Sequence, residues 1–391
     1  MKHIIWSIGH NLELIDIVKA ENCYLYDSKG NKYIDLESGV WCTSLGHCNS
    51  RVNNVIQSQI NKIGHTGFCY SNPILEKTAL KVLKITNLIE GKCEFICSGS
   101  EAVEYGMRVA KTITDEPLTF TFSDSYFGAY GEASKRDNDK WYIYNWIDCT
   151  CDTDHEGCTG ECKEFNNIPF EKIGIFLFEP GSSSGLVRFP SKRLINKIIE
   201  RVKINNGIIV INEITTGIGR TGKWFGFQHY NIEPDIVAIG KGVGNGYPVS
   251  VTAISKTIAE LLKKKQYHYS QSHQNDPLGA SVVNEVIQTI TDDNLVERSK
   301  KLGSKIIMHL NKLKEANSII KEIRGRGLMI GIELTKHAEI IRKELFNRGF
   351  ILVKRSGVEV LRMDPALTIK EQDIDLFLET FEQIIQNFEN K

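Results

Sequence analysis

The central third of the chain carries a series of short apolar runs, each stopping at a glycine, a proline or a polar residue. They are EFICSGS (94–100), IGIFLFEP (173–180), GIIVINE (207–213), DIVAIGKG (235–242) and VSVTAIS (249–255). Runs this short and this continuously apolar read as strands buried on both faces. Between them lie amphipathic stretches such as RLINKIIERVKINN (193–206), with apolar positions at helical spacing. The alternation predicts an α/β domain with a mostly parallel central sheet covered on both sides by helices. The two ends of the chain read differently. YLYDSKGNKYIDL (24–36) has the pattern of a hairpin turning at Ser28-Lys29-Gly30-Asn31. After about residue 280, the helical VERSKKLGSKIIMHLNKLKEA (296–316) gives way to strand-like KEIRGRGLMIGIEL (321–334) and GFILVKR (349–355), then to a final helical stretch, KEQDIDLFLETFEQIIQNFE (370–389). The expected plan is a large α/β domain over 61–280 and a smaller α+β domain formed by the N-terminal segment 1–60 and the C-terminal part 281–391.

Composition narrows the function. The 391 residues include 48 basic and 48 acidic side chains, a net charge of zero, so no global charge draws the chain to nucleic acid or to an anionic membrane. Apolar residues at 41% and charged residues at 25% exclude bulk disorder, collagen and coiled coil. There is no apolar run long enough to span a bilayer and no signal-peptide pattern at the start, so a cytoplasmic protein is expected. All ten cysteines precede residue 163, and Cys149, Cys151, Cys158 and Cys162 fall close together. In a reducing compartment such a cluster reads as a metal site before it reads as disulfides.

Ligands of open parallel sheets bind at the carboxyl ends of the strands, and four features sit there. Ser98-Gly99-Ser100-Glu101-Ala102 ends a strand and opens a helix, which is either a phosphate cradle at a helix N-terminus or an ordinary capped start. Asn212-Glu213-Ile214-Thr215-Thr216-Gly217 places polar groups at the end of IIVI; these face a ligand or satisfy a loop. Lys241 lies among the glycines of IGKGVGNG (239–246), as a nucleophilic, Schiff-base type of lysine or a solvated one. The spacing is neither GxxxxGK[ST] nor GxGxxG. Arg362, in VLRMDPAL, is placed to grip a carboxylate or to serve as a surface ion-pair partner. GSSSG (181–185) is not a nucleophile elbow, since no helix follows it.

In this order and spacing, the four features resemble the class III aminotransferases, fold-type I enzymes dependent on pyridoxal 5′-phosphate. NEITTGIGRTGKWFGFQHYNIEPDIVAIGKGVGNGYPVS (212–250) is similar to the family's DEVQTGxGRTG…PDI…KGLGGGxP. YDSKGNKYIDLESGVWCTSLGHCNSRV (26–52) is similar to DxxGxxYxDxxxGxxxxxLGHxHPxV, and SGSEAVE to SGTEANE. The resemblance extends from about residue 22 to 388. It implies that Lys241 forms the Schiff base with the cofactor and moves the substrate's Cα proton. Gly99 and Ser100 would bind the phosphate, Tyr126 would stack on the pyridine ring, and Ile214 would pack on the opposite face. Thr215 stands where a glutamine reaches the ring's phenolic oxygen, Asn212 where an aspartate meets the ring nitrogen, and Glu179 where EPxQGExG begins. Ser272, in SQSHQNDP, replaces a threonine that binds the phosphate of the neighbouring subunit in a homodimer. Arg362 and Trp41 are assigned to the substrate. The implied reaction moves an amino group from an amino acid or amine to a keto acid.

The departures from the family pattern open alternatives. Neutral Asn212 hydrogen-bonds to the ring nitrogen but does not hold a proton on it by charge. That keeps a PLP-dependent lyase, epimerase or decarboxylase in play, and, further off, a non-catalytic binding protein. EPGSSSG puts Ser184 where many ω-amino-acid enzymes carry a glutamate that masks the carboxylate-binding arginine, so Arg362 is expected to be unmasked. DCTCDTDHEGCTGEC (148–162), with His155 inside it, has no counterpart in the family pattern. Four thiolates favour tetrahedral zinc in a closed structural site; free thiols, disulfides and an iron–sulfur cluster are the other readings.

Overall fold

The computed structural model describes residues 3–8, 12–114, 118–136, 139–149, 151 and 158–389. In chain order its strands are β1 Ile17–Glu21, β2 Tyr24–Asp27, β3 Lys32–Asp35, β4 Lys92–Ile96, β5 Leu118–Phe122, β6 Trp141–Tyr144, β7 Ile173–Phe178, β8 Ile208–Asn212, β9 Ile236–Ile239, β10 Ser250–Ile254, β11 Ile320–Arg326, β12 Met329–Leu334, β13 Phe350–Ile351, β14 Val353–Lys354 and β15 Val360–Met363. The apolar runs of the central third all lie in one seven-stranded sheet, ordered β4-β10-β9-β8-β7-β5-β6. From β9 to β6 neighbouring strands pair in parallel. Only β10 runs antiparallel to its neighbours β9 and β4. The loop from β9 to β10 is too short for the crossover that a parallel pair needs.

Side-chain alternation splits the sheet into two cores. Ile175, Leu177, Ile208, Val210, Ile236 and Ala238 pack with the helix Gly99–Ile113. Phe176, Phe178, Ile209, Ile211, Val237 and Ile239 belong to the larger core, which includes Leu194, Ile195, Ile198 and Val202 of the helix Lys192–Ile204. Both faces are dry, which is why these strands read as unbroken apolar runs. β5 and β6, which had no counterpart among those runs, complete one edge of the sheet.

The predicted hairpin is β2–β3. The Asp27 carboxylate closes its turn by accepting from the Lys29 and Asn31 amides at 3.0 and 2.8 Å. β13, from the far end of the chain, pairs in parallel with β3, so the two ends share the sheet β1-β2-β3-β13. A third sheet, β11-β12-β15-β14, carries Arg362 on β15. The helix Leu295–Ala316 meets the turn before β12 backbone to backbone: a Cβ at Gly303 would stand 1.9 Å from the Gly327 carbonyl oxygen. Arg220, fully buried, ties the segments together. It donates to the carbonyls of Pro365 and Leu328 and to Ser38 Oγ, so the loop after β8 fixes both the N-terminal turn and the strand end bearing Arg362.

Candidate functional site

Lys241 directly follows the Gly240 at the end of β9, beside the end of β8, with Asn212 in register with Ala238. Its φ is +47°, a left-handed conformation that a non-glycine residue adopts at a cost and that clusters at functional sites. The side chain is half-buried, and Nζ stands 3.8 Å from the centroid of the Trp41 ring. Burial pushes the Lys241 amine down to about 8, opposed by Cys42 and helped by the Arg362 charge. The ammonium is the disfavoured form, so the unfolded chain binds this proton across a window where the folded chain does not. Between about pH 8 and 10.5 this group's contribution to stability therefore rises with pH. Reaction of Lys241 with an added aldehyde in the cofactor-free protein should follow the same deprotonation. Its rate is expected to reach half-maximum near pH 8; a midpoint near 10.5 would contradict the burial assigned to the amine.

Trp41 is presented by an unusual turn. Ser38, Gly39, Val40 and Trp41 all have left-handed φ, of 47°, 58°, 57° and 66°. Each non-glycine residue there costs about 1–2 kcal/mol. The turn is held by hydrogen bonds: Ser38 Oγ donates to the Asp364 carbonyl at 2.7 Å, and the Glu37 and Gly39 amides donate to the Asp35 carboxylate at 2.8 and 2.9 Å. Arg362 also lies over the Trp41 ring, with Cζ 4.0 Å from its centroid. The expectation of an unmasked Arg362 is corrected here. Its Nε and Nη2 donate to the two Asp364 carboxylate oxygens at 2.6 and 3.2 Å, and both residues are 1% exposed. Residues two apart on a strand share a face, so Asp364 takes the masking position itself. Arg362 Nη1 is buried with no partner among the described residues.

Asn212, Tyr126 and Glu179 form one network. Asn212 Nδ2 donates to the Tyr126 carbonyl at 2.9 Å, and its Oδ1 accepts from the Ile214 amide at 3.1 Å, which orients the amide. The Tyr126 amide donates to Glu179 Oε2 at 3.1 Å, and the Ser183 amide adds a second bond. Glu179 Oε1 is buried without a partner among the described residues, and burial raises its carboxyl to about 7. The Tyr126 ring itself is 44% exposed. Glu213 points away from this network. Its carboxylate accepts from Thr216 Oγ1 and from the Gly226 and Phe227 amides at 2.7–2.8 Å, so it braces the loop and does not replace Asn212.

Gly99 and Ser100 lie in the first turn of the helix Gly99–Ile113, capped by the Ser98–Glu101 box. A helix start offers amides with no intrahelical partner and a positive dipole end. The Ala129 amide donates to Ser100 Oγ at 3.0 Å, which draws the loop after Tyr126 onto the helix start. Ile214 fills the space between Gly99 and Gly240: a Cβ on either glycine would come within 3.0 Å of its side chain. Thr215 Oγ1 is buried, with no partner among the described residues. Ser272 is exposed, in a turn outside this cluster. The single chain thus gathers Lys241, Asn212, Ile214, Gly99, Ser100, Tyr126 and Glu179 at one edge of the sheet, with Trp41 joining Lys241 to Arg362; it leaves Ser272 apart. A cavity of about 820 Å³ runs past Trp41, with Glu37, Val40 and Arg355 in its wall.

The four cysteine sulfurs lie within 4.8 Å of one another beside the edge strand β6. His155 lies outside the described residues. Three residues that the sequence did not single out matter here: Asp364, Arg220 and Glu37. Asp364 was legible from its two-residue spacing to Arg362. Glu37 faces the buried carboxylates of Asp35 and Asp364, and burial with those charges raises it to about 7.

The profile of the aminotransferase class-III family matches residues 7–135 and 143–385. A leucine/methionine racemase of Thermococcus litoralis is 29% identical over 408 aligned residues, covering 95% of this chain and 90% of that protein. An acetylornithine aminotransferase of Archaeoglobus fulgidus is 29% identical, with 97% of each chain covered. Among solved structures, an S-selective transaminase from Arthrobacter sp. superposes with a TM-score of 0.89 at 21% identity, covering 100% of this chain and 97% of the other.

Proposed function

The chain belongs to the aminotransferase class-III family, and on that premise we propose how its own residues divide the work of pyridoxal-phosphate-dependent transamination. It is an aminotransferase, with amino and keto acids as substrates. The residues fit the cofactor: a half-buried lysine with a depressed proton affinity, an open helix start at Gly99–Ser100, and buried oxygens on Thr215 and Glu179 that have no partner among the described residues. Bound there, the cofactor supplies an electron sink for the substrate's Cα. The observation that carries the reading is Lys241, half-buried at the strand end with Nζ against Trp41.

In this assignment Lys241 would hold the cofactor, take the proton from the substrate's Cα and deliver it to the cofactor carbon that bears the amino group. Gly99 and Ser100 present amides to the phosphate. Tyr126 covers one ring face, and Ile214 supports the other. Asn212 meets the ring nitrogen with a neutral amide. Arg362 offers Nη1 to a substrate carboxylate, held in place by Asp364 and Trp41. Ser272 serves the phosphate of a second copy of the chain, which makes the working unit a homodimer. A zinc ion on the cysteine thiolates has a holding role, since four thiolates leave no open coordination position. Among the described residues no helix is long and apolar enough to cross a membrane; this reading places the protein in the cytoplasm.

The test is a matrix of amino donors against keto-acid acceptors, scored by the new amino acid formed. Parallel double-reciprocal lines are expected, because one substrate leaves before the other enters. Product formation that needs no acceptor would overturn the assignment.

One observation favours a second reading, inversion at Cα: the neutral Asn212, in a chain that resembles a racemase as closely as an aminotransferase. Asn212→Asp separates the residue's two duties. An aspartate cannot donate to the Tyr126 carbonyl, so the cofactor-free variant is expected to lose about 1–3 kcal/mol in urea unfolding. In the loaded enzyme the restored charge should raise the rate of keto-acid formation relative to inversion, read by chiral chromatography. No change in that ratio would remove Asn212 as the residue that sets it.

A further inference from the structure

The segment 148–164, DCTCDTDHEGCTGECKE, contains no Ala, Val, Leu, Ile, Met, Phe, Tyr or Trp. Nothing in it but cysteine supplies apolar anchorage, yet Cys158 is fully buried and Cys151, Cys149 and Cys162 lie against the core. Successive sulfur separations are 3.2 Å from Cys149 to Cys151, 4.0 Å from Cys151 to Cys158 and 3.9 Å from Cys158 to Cys162. Four thiolates around one tetrahedral zinc, each at about 2.3 Å, stand about 3.8 Å apart. Backbone amides point at three of the sulfurs, an arrangement that suits metal-bound thiolates. The Thr159 amide donates to Cys151 Sγ at 3.5 Å, Gly160 to Cys158 Sγ at 3.4 Å and Phe165 to Cys162 Sγ at 3.4 Å. The Tyr144 hydroxyl stands 3.2 and 3.4 Å from the sulfurs of Cys158 and Cys162.

The same residues reach the site. The Tyr144 carbonyl accepts from the Ser123 amide at 3.0 Å, and the Trp146 carbonyl accepts from the Cys149 amide at 3.4 Å. Trp146 Nε1 donates to Asp124 Oδ1 at 3.1 Å. Ser123 and Asp124 lead straight into Tyr126, whose amide and carbonyl are gripped by Glu179 and Asn212. The short segment 123–126 is therefore clamped on one side by the cysteine loop and on the other by the strand ends that carry the chemistry.

We propose that Cys149, Cys151, Cys158 and Cys162 hold one zinc ion, and that this ion fixes the Tyr126 segment through Tyr144 and Trp146. The metal stands independently of the cofactor assignment; the meaning of holding Tyr126 rests on it. Tyr144 and Trp146 are positioning residues and touch neither substrate nor cofactor.

The experiment begins with metal content by mass spectrometry of protein purified without chelator. One zinc per chain is expected, with the four thiols resisting alkylation until a chelator is added. Amide hydrogen exchange is then compared for the protein as purified, after chelation, after zinc is returned, and for Trp146→Phe. Chelation should speed exchange about tenfold or more across 123–127 and 141–147, leave 92–96 and 250–254 unchanged, and be reversed by zinc. Trp146→Phe should keep its zinc, speed exchange at 123–127 alone, and change the visible circular dichroism of the bound cofactor. If zinc leaves and only 149–166 responds, the link to Tyr126 is overturned and the metal stands. If no metal is present and the thiols are all reactive or paired as disulfides, the whole proposal fails. A protein that binds zinc and shows the exchange pattern but takes up no pyridoxal phosphate would instead sink the cofactor assignment.

Discussion

Lys241→Ala is expected to lower transamination at least about 10³-fold while leaving the fold intact. The reason lies in what surrounds the amine. Lys241 is half-buried against Trp41, and its proton affinity is depressed to about 8, so a usable fraction is neutral at physiological pH. Arg362 shares the same aromatic ring but stays charged and is tied to Asp364. It cannot stand in as a base. Removing a half-buried cation that sits near the Arg362 charge relieves repulsion, so the cofactor-free variant should unfold in urea no earlier than the parent. Activity with saturating cofactor, together with partial rescue by a small primary amine, checks the assignment. A variant that unfolds early and shows no rescue would mean that Lys241 is structural.

Asp364→Ala is the stability counterpart. It strands the Arg362 guanidinium, 1% exposed, without its two-point partner. Asp364 also supports the charge of fully buried Arg220. Breaking a buried pair from one side costs about 3–5 kcal/mol, mostly from the uncompensated charge that remains. The loss should appear as a lowered urea midpoint with an unchanged slope. Replacing both partners, Arg362→Met with Asp364→Leu, should recover most of it, because two apolar groups need no solvation. That double variant should still bind substrate carboxylates poorly, since the unpartnered Nη1 is gone. Full recovery of substrate affinity would remove Arg362 from the carboxylate site.

Much of this architecture was legible because the sheet is buried on both faces. Burial on both sides makes β7, β8 and β9 read as unbroken apolar runs, and in the structure period-two alternation places Phe176 and Phe178 in one core and Ile175 and Leu177 in the other. β5 and β6 were harder. In β6 the two middle residues are only partly buried or exposed, so the run does not announce a buried strand. Lys241 was legible from its setting among glycines at a strand end. The masking of Arg362 does not depend on Ser184, distant in sequence: Asp364, two residues away, holds the guanidinium, a pairing that the short spacing allows. The turn at Trp41 was hidden for a different reason. Left-handed φ at Ser38, Val40 and Trp41 is not a propensity of those residues; it is imposed by Asp35, Arg220 and Asp364 from outside the turn. The place of Glu213 likewise depended on amides of Gly226 and Phe227, which no local pattern reveals.

The most direct measurement is a single half-reaction. The enzyme loaded with pyridoxal phosphate is mixed with an excess of one enantiomer of an amino-acid donor and no keto acid. Released keto acid and the enantiomeric ratio of the remaining donor are followed together. Transamination predicts one equivalent of keto acid per chain, then a halt until an acceptor is added, with the donor's configuration preserved. Continued conversion of the donor to its mirror image without keto acid, or turnover beyond one equivalent without an acceptor, would contradict the assignment.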